Sequence, residues 1–185
     1  MLKYSDTSYE TERLRIRPLK VEDYLTWLTG FNNRLPSRHR HDEGNRDMSE
    51  CSMEWYVSLI QKHQELALND KVYAYGLFLK ADGSHVGMID FMTLVRSEFQ
   101  WGCIGYTIHN QYWRNGYGRE AVLKALDIAS SDLNFHRIEA HINVDNEASI
   151  RLVQSAGLEY ECTRKGFIFE FGEWTDNLIY YKNLI

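Results

Sequence analysis

Trp113-Arg114-Asn115-Gly116-Tyr117-Gly118-Arg119-Glu120 is the stretch that most restricts how this chain can fold. An apolar run, Trp101 to Ile108, precedes it with the length and content of a strand. Beyond it, Ala121, Val122, Ala125, Leu126, Ala129 and Leu133 recur at helical spacing and predict a helix with one buried face. The two glycines therefore stand where a strand has ended and a helix begins. N–H groups in an opening helical turn have no helical partners, and the helix dipole adds partial positive charge there. Gly116 and Gly118 lack Cβ atoms, so the backbone is free to take unusual angles and an anion can approach closely. The stretch predicts a phosphate cradle.

The rest of the chain limits what that cradle can serve. Its 185 residues suffice for one globular domain, expected to span 1–185, and there is no repeat, low-complexity tract or linker. A net charge of −5 argues against a nucleic-acid binder that works through a broad basic surface. Cys51, Cys103 and Cys162 are far apart, odd in number and without metal-ligand spacing, which fits free thiols in a reducing compartment. Met1 to Glu10 is polar and lacks a signal-peptide core, and no run approaches the roughly 20 apolar residues of a membrane span. A cytoplasmic protein without a membrane partner is expected. The sequence does not show the oligomeric state, and a homodimer is compatible with it.

Taken in order, Thr11 to Pro18 alternates Leu14 and Ile16 with Arg13, Arg15 and Arg17, a half-buried strand. A short helix follows from about Val21 to Thr29, with Tyr24, Leu25 and Leu28 on one side and Gly30 as its stop. Phe31 to Glu50 has no period and reads as a flexible charged loop; its His39-x-His41 pair is not taken as a metal site. Ser52 caps a helix from about Met53 to Leu68, with Trp55, Leu59 and Leu66 on its apolar face. Val72–Leu79, Val86–Val95 and Phe99–Ile108 form an antiparallel meander, the first turn carrying the Asp82-Gly83 hairpin pair. After the cradle and its helix come a strand from His136 to Val144, a helix from Asn146 to Ser155 ended by Gly157, and two final strands. This is an α+β domain with a mixed sheet. Its parallel pair is the strand before the cradle and the strand after the cradle's helix.

Gly116-Tyr117-Gly118-Arg119-Glu120-Ala121 also matches the dinucleotide fingerprint G-x-G-x-x-A. In that fold the first glycine follows the strand almost at once, in a unit that opens the domain. Here His109 to Asn115 intervene, three strands are already spent, and too little chain remains for a second nucleotide half.

The element order and the cradle together resemble the GNAT superfamily of acetyl-CoA-dependent N-acetyltransferases. Trp113-x-x-Gly116-x-Gly118 is similar to the form seen in its ribosomal-protein N-terminal acetyltransferase subgroup. Thr11-Glu12-Arg13-Leu14-x-Ile16-Arg17-Pro18, Ile104-Gly105-Tyr106, Asn143-x-x-Asn146-x-x-Ser149 and Ala156-Gly157-Leu158 resemble further segments of that subgroup. The resemblance implies a mostly antiparallel central sheet flanked by helices, whose two central parallel strands splay apart. Pantetheine would enter between them and hydrogen-bond backbone groups of Tyr106, Thr107 and Ile108. The pyrophosphate would sit on Arg114, Asn115, Gly116, Tyr117, Gly118 and Arg119. It further implies that Asn146 contacts the cofactor and that Ser149 lies near its sulfur, although both residues also read as ordinary helix capping. Acetyl-CoA is the implied co-substrate, with no metal.

The resemblance implies a primary amine as acceptor, attacking directly in a ternary complex, with a protein or peptide N-terminal α-amine favoured and a small-molecule amine or antibiotic as the other choices. Near pH 7 about a tenth of an α-amine is neutral, against roughly one in 2,500 for a lysine amine, so an α-amine needs little base assistance. Glu98 sits where the superfamily often places a carboxylate and equally reads as a surface charge. Asp90, Glu170 and His141 are further candidates, and Tyr106 reads as a core aromatic, a substrate wall or a proton donor. A catalytically silent acyl-CoA-binding module is the competing reading.

Overall fold

The computed structural model of the protein describes residues 4–184, so Met1 to Lys3 of the polar start, and Ile185, lie outside the described residues. Among the described residues there are eight strands: β1 (Tyr9–Glu10), β2 (Leu14–Arg17), β3 (Val72–Leu79), β4 (His85–Val95), β5 (Trp101–Ile108), β6 (Arg137–Asn143), β7 (Glu159–Glu170) and β8 (Glu173–Asn183). Four helices accompany them: α1 (Tyr24–Asn32), α2 (Met53–Leu68), α3 (Tyr117–Ser131) and α4 (Glu147–Ser155). The strands follow the order β1-β2-β3-β4-β5-β6-β8-β7 in a mixed sheet. The β5–β6 pair is parallel, as the sequence predicts. The chain divides into two compact units, Met1–Asp90 with Tyr106–Ala121, and Phe91–Gly105 with Val122–Ile185.

In the first unit, β2 pairs antiparallel with β3, which carries Leu14 and Ile16 opposite Leu79 and Leu77. The hairpin from β3 to β4 closes through the Leu79 N–H on the Ser84 carbonyl at 2.9 Å, with the Asp82 carboxylate accepting from the Ser84 N–H at 2.9 Å. Leu19, Trp27, Tyr56, Ile60 and Phe78 form its core, and Tyr24, Leu28, Phe31 and Met88 pack against them. Each large apolar side chain buried this way contributes about 1.5–3 kcal/mol.

Three local expectations shift. The first helix does not stop at Gly30 but continues to Asn32, with Val21–Asp23 as a 3₁₀ turn before it. Gly30 lies inside the helix because there is no room for a side chain. A Cβ there would stand 2.8 Å from the His85 carbonyl and 3.1 Å from His109 Nε2. On α2 the buried residues are Tyr56, Ile60 and Ala67; of the expected ones, Leu59 packs against the same core, while Trp55 is 44% exposed and stacks on Trp27, so the face is centred one residue further on. Ser52 caps that helix as expected, its hydroxyl accepting from the Trp55 N–H at 3.2 Å.

The second unit holds the parallel pairing and the C-terminal antiparallel ladder. The parallel register sets Trp101–Cys103 against Arg137–Glu139, while β6 itself goes on to Asn143. β6 pairs with β8 from Arg137↔Asn183 to Asn143↔Asn177, and β7 folds back along β8. Val122, Ala125, Leu126 and Ala129 of α3 are buried, as their spacing predicts, together with Ile128. The Phe91 and Phe135 rings lie 6.2 Å apart, and the Arg96 guanidinium covers Phe135 at 4.0 Å.

Candidate functional site

The cradle belongs to the first unit. After β5, a 3₁₀ turn over Asn110–Tyr112 leads to Trp113, and α3 starts at Tyr117. Arg114 and Gly116 both have positive φ, 66° and 79°, so the backbone turns sharply twice before the helix. Only glycine takes such an angle without strain, which is why the second of these positions is Gly116. The Glu120 N–H bonds the Gly116 carbonyl at 3.1 Å, so the N–H groups ahead of Glu120 form the open first turn of α3. Arg114, Asn115, Gly116 and Arg119 are exposed, and Tyr117 and Gly118 half-buried. An exposed, open helical turn with two glycines fits a multiply charged phosphate by shape and by dipole.

Side chains brace this turn from several sides. The Trp113 indole N–H donates to the Ile108 carbonyl at 2.7 Å. Ile108 O, one of the backbone groups expected to serve pantetheine, thus already accepts a bond. The Asn115 amide bonds the carbonyls of Tyr112 and Trp113 at 3.0 and 3.2 Å. The Glu120 carboxylate accepts from the Thr11 hydroxyl at 2.5 Å, and from the Arg13 N–H and Nε at 2.8 and 2.7 Å. Burial pushes the Glu120 carboxyl up, but these donors outweigh burial and hold it below its ordinary value.

The region expected to be a flexible loop is instead built into this brace. The buried Asp42 carboxylate accepts from the N–H groups of Arg38 and Gly44, both at 2.9 Å, and from the Asn110 amide at 3.1 Å. Arg34, with its side chain 2% exposed, pairs with Asp42 at 3.3 Å. Asn110 also exchanges bonds of 2.7 and 2.8 Å with the Leu35 backbone. His39 stacks on Trp113 at 5.5 Å, with the Arg38 guanidinium 5.7 Å from the same ring. Sequence reasoning missed this because Asp42 and Asn110 stand 68 residues apart. Its one local trace is Asp42 ahead of Gly44 in an otherwise aperiodic stretch.

Behind the cradle, His109 Nε2 lies 3.1 Å from His85 Nδ1, and both residues are 1% exposed. Burial is the main reason both imidazoles are pushed down to about 3, His109 being further lowered by its neighbour. The pair is neutral in the folded protein at ordinary pH. Tyr106 and Ile108 are half-buried and Thr107 is exposed.

The second unit carries Asn146, Ser149, Glu98, His141 and Glu170 of the expected residues. Asn146 is the N-cap of α4, its side-chain oxygen accepting from the Ser149 N–H at 3.3 Å. The capping reading is therefore realised, whatever else the two residues do. Arg151 is exposed and pairs with Glu147 at 2.9 Å. Glu98 is exposed in the turn before β5, so all of β5 separates it in sequence from the cradle. His141 Nε2 is held 2.9 Å from the carboxylate of Glu139, whose side chain is 2% exposed. The same carboxylate takes Arg137 Nη2 at 2.9 Å and Arg164 Nη2 at 3.3 Å. Glu170 accepts from the Asn143 amide and, at 2.6 Å, from the Thr175 hydroxyl. Asp90 belongs to the first unit, and its carboxyl is pushed up by burial.

Comparison with known proteins decides the family. The family model described as "Acetyltransferase (GNAT) domain" matches residues 13–159. The chain belongs to the GNAT family. This GNAT protein is an N-acetyltransferase. It is 29% identical to the "Uncharacterized N-acetyltransferase YoaA" of Bacillus subtilis (strain 168), over 92% of this chain and 93% of that one. It is 26% identical to the "[Ribosomal protein uS5]-alanine N-acetyltransferase" of Escherichia coli (strain K12), covering 91% and 87% of the two chains. The fold matches that of "Mycobacterium smegmatis RimJ in complex with CoA-disulfide" with a TM-score of 0.80 at 18% identity, over 98% and 88% of the chains. No helix of the described residues is long and apolar enough to cross a membrane.

Proposed function

We propose that the protein transfers the acetyl group of acetyl-CoA to a primary amine, a peptide N-terminal α-amine in preference to a small molecule. The open, glycine-bearing first turn of α3 carries this reading, since it offers a cluster of N–H groups at a helix terminus to a pyrophosphate. The uS5-alanine acetyltransferase among the relatives supports the α-amine, and residues 13–159 of the family match run through both units, which supports one N-acetyltransferase domain.

Acetyl-CoA would supply an activated thioester, so that acetyl transfer forms a C–N bond, breaks the C–S bond and releases CoA thiol. Arg114 to Arg119 would hold the phosphates, the chain at Tyr106 to Ile108 would line pantetheine, and Asn146 would contact the cofactor. Ser149 would stand by the sulfur and ease its departure as thiolate. With an α-amine acceptor, alignment carries most of the rate, because a useful fraction of the amine is already neutral. Glu98 would take up the proton the amine loses, and Tyr106 would line the acceptor's place.

Calorimetry with acetyl-CoA tests the cofactor, with saturable binding expected and none overturning the proposal. Thiol release with peptides of varied first residue, set against polyamines, tests the acceptor. Turnover with polyamines alone would overturn the α-amine preference, and binding without turnover on any amine would leave a silent binding module.

A further inference from the structure

A side chain that grips the cradle at both ends comes from just before β2, far away in sequence. Arg13 Nη1 donates to the Asn115 carbonyl at 2.8 Å. Its Nε and Nη2 meet Glu120 Oε2 at 2.7 and 2.6 Å, and its own N–H meets Glu120 Oε1 at 2.8 Å. Thr11 adds its hydroxyl to the same Oε1 at 2.5 Å. The guanidinium carbon lies 4.7 Å from the centre of the Tyr117 ring.

These contacts fix which way the turn faces. A peptide unit is planar and trans, so its C=O and N–H point in opposite directions. With the Asn115 carbonyl turned onto Arg13, the N–H of Gly116 is turned away from it. A Cβ on Gly116 would stand 3.3 Å from Arg13 Nη2, so the guanidinium fills one side of the turn and leaves the other to a ligand. Glu120 would otherwise place an uncompensated negative charge in the first turn of α3, in competition with a phosphate for the dipole. Tied through both oxygens to Arg13 and Thr11, its charge is compensated.

We propose that Arg13 is a positioning residue for the cofactor's pyrophosphate. It acts through Asn115 and Glu120 to hold the Gly116 N–H outward before the ligand arrives. This rests on the acetyl-CoA reading above and adds a role for the Thr11–Arg13 segment, which touches no reacting atom. The test measures CoA by calorimetry, and pantetheine, which has no phosphate, by ligand-observed NMR. Backbone order at Asn115 to Tyr117 is followed by ¹⁵N relaxation in the ligand-free protein.

Arg13→Gln is expected to weaken CoA about tenfold, the size of one lost charge-assisted bond, while pantetheine binding stays within about twofold. Backbone order in the turn should fall in the same variant. Arg13→Lys keeps the charge without the fork and should lie between the two. Should Arg13→Gln not fold, Arg13→Lys carries the test, with weakened CoA, unchanged pantetheine and lower order in the turn expected. Unchanged CoA affinity, or equal weakening of CoA and pantetheine, overturns the positioning role alone. A native protein that binds no CoA overturns the acetyl-CoA reading with it.

Discussion

The polar residues of the two units do different work. Around the cradle, Asp42, Asn110, Asn115, Arg13 and Trp113 all bond to backbone groups, and so they fix the path of a turn. On β6, Arg137, Glu139 and His141 bond mainly to one another and to Arg164 and Glu161 of β7, side chain to side chain. The first arrangement leaves N–H groups presented outward, and the second uses up its charges within the strand face. A cradle for an anion needs the first kind. The contrast predicts that disturbing the first unit's anchors alters ligand affinity, whereas disturbing the Glu139 network alters stability alone.

The largest expected effect is at Asp42. Asp42→Ala removes the buried carboxylate of Arg34, leaving its guanidinium only the exposed Glu43 at 3.5 Å, and should cost about 3–5 kcal/mol, measured by urea unfolding. A loss below about 1 kcal/mol would mean that the 34–44 segment is not anchored as described.

The buried histidine pair gives a pH signature of the first unit. An imidazole held neutral in the fold binds fewer protons than in the unfolded chain. The contribution of His85 and His109 is therefore whole above the ordinary value of 6.5 and is lost as pH falls from there toward about 3. Denaturant titrations between pH 7 and 4 should show stability falling with pH, less steeply in His85→Phe. A profile flat through this range would contradict the neutral buried pair.

Gly118→Asp puts bulk and negative charge into the first turn of α3 and should weaken acetyl-CoA at least tenfold, about 1.4 kcal/mol, by calorimetry. Retained affinity in a folded variant would mean that the phosphates bind elsewhere. Glu139→Gln keeps the shape but removes the charge that Arg137, His141 and Arg164 share. It should lower the melting temperature by an amount equivalent to about 1–2 kcal/mol and leave acetyl-CoA affinity within about twofold. A large change in affinity would collapse the contrast between the units. Smallest in stability is Ser149→Ala, expected within about 0.5 kcal/mol of the native protein. It should reduce turnover more than cofactor affinity, and equal turnover would leave Ser149 in its capping position alone.

Much of this was legible in the sequence because it is local. The apolar spacing of α3, the Ser52 and Asn146 caps, the Asp82-Gly83 turn and the glycines of the cradle each depend on neighbours within a few residues. The parallel pairing of β5 with β6 followed from a strand, a helix and a second strand in succession. On α2, Leu59 packs against the core as expected, but Trp55 and Tyr56 suit an apolar face equally well in sequence, and only packing against Leu19, Trp27 and Phe78 selects Tyr56 for its centre. Gly30 read as a stop because its real constraint, two histidines from β4 and the end of β5, lies across the unit.

The sequence by itself determined that an open, glycine-bearing turn starts α3, since glycine chemistry and helix periodicity are properties of contiguous residues. Tertiary structure alone decided what aims that turn. Arg13 and Glu120 are 107 residues apart, and Asp42 and Asn110 are 68 apart. No local pattern marks such a pair, because a carboxylate's choice of partner is settled only when folding brings buried donors within hydrogen-bond reach.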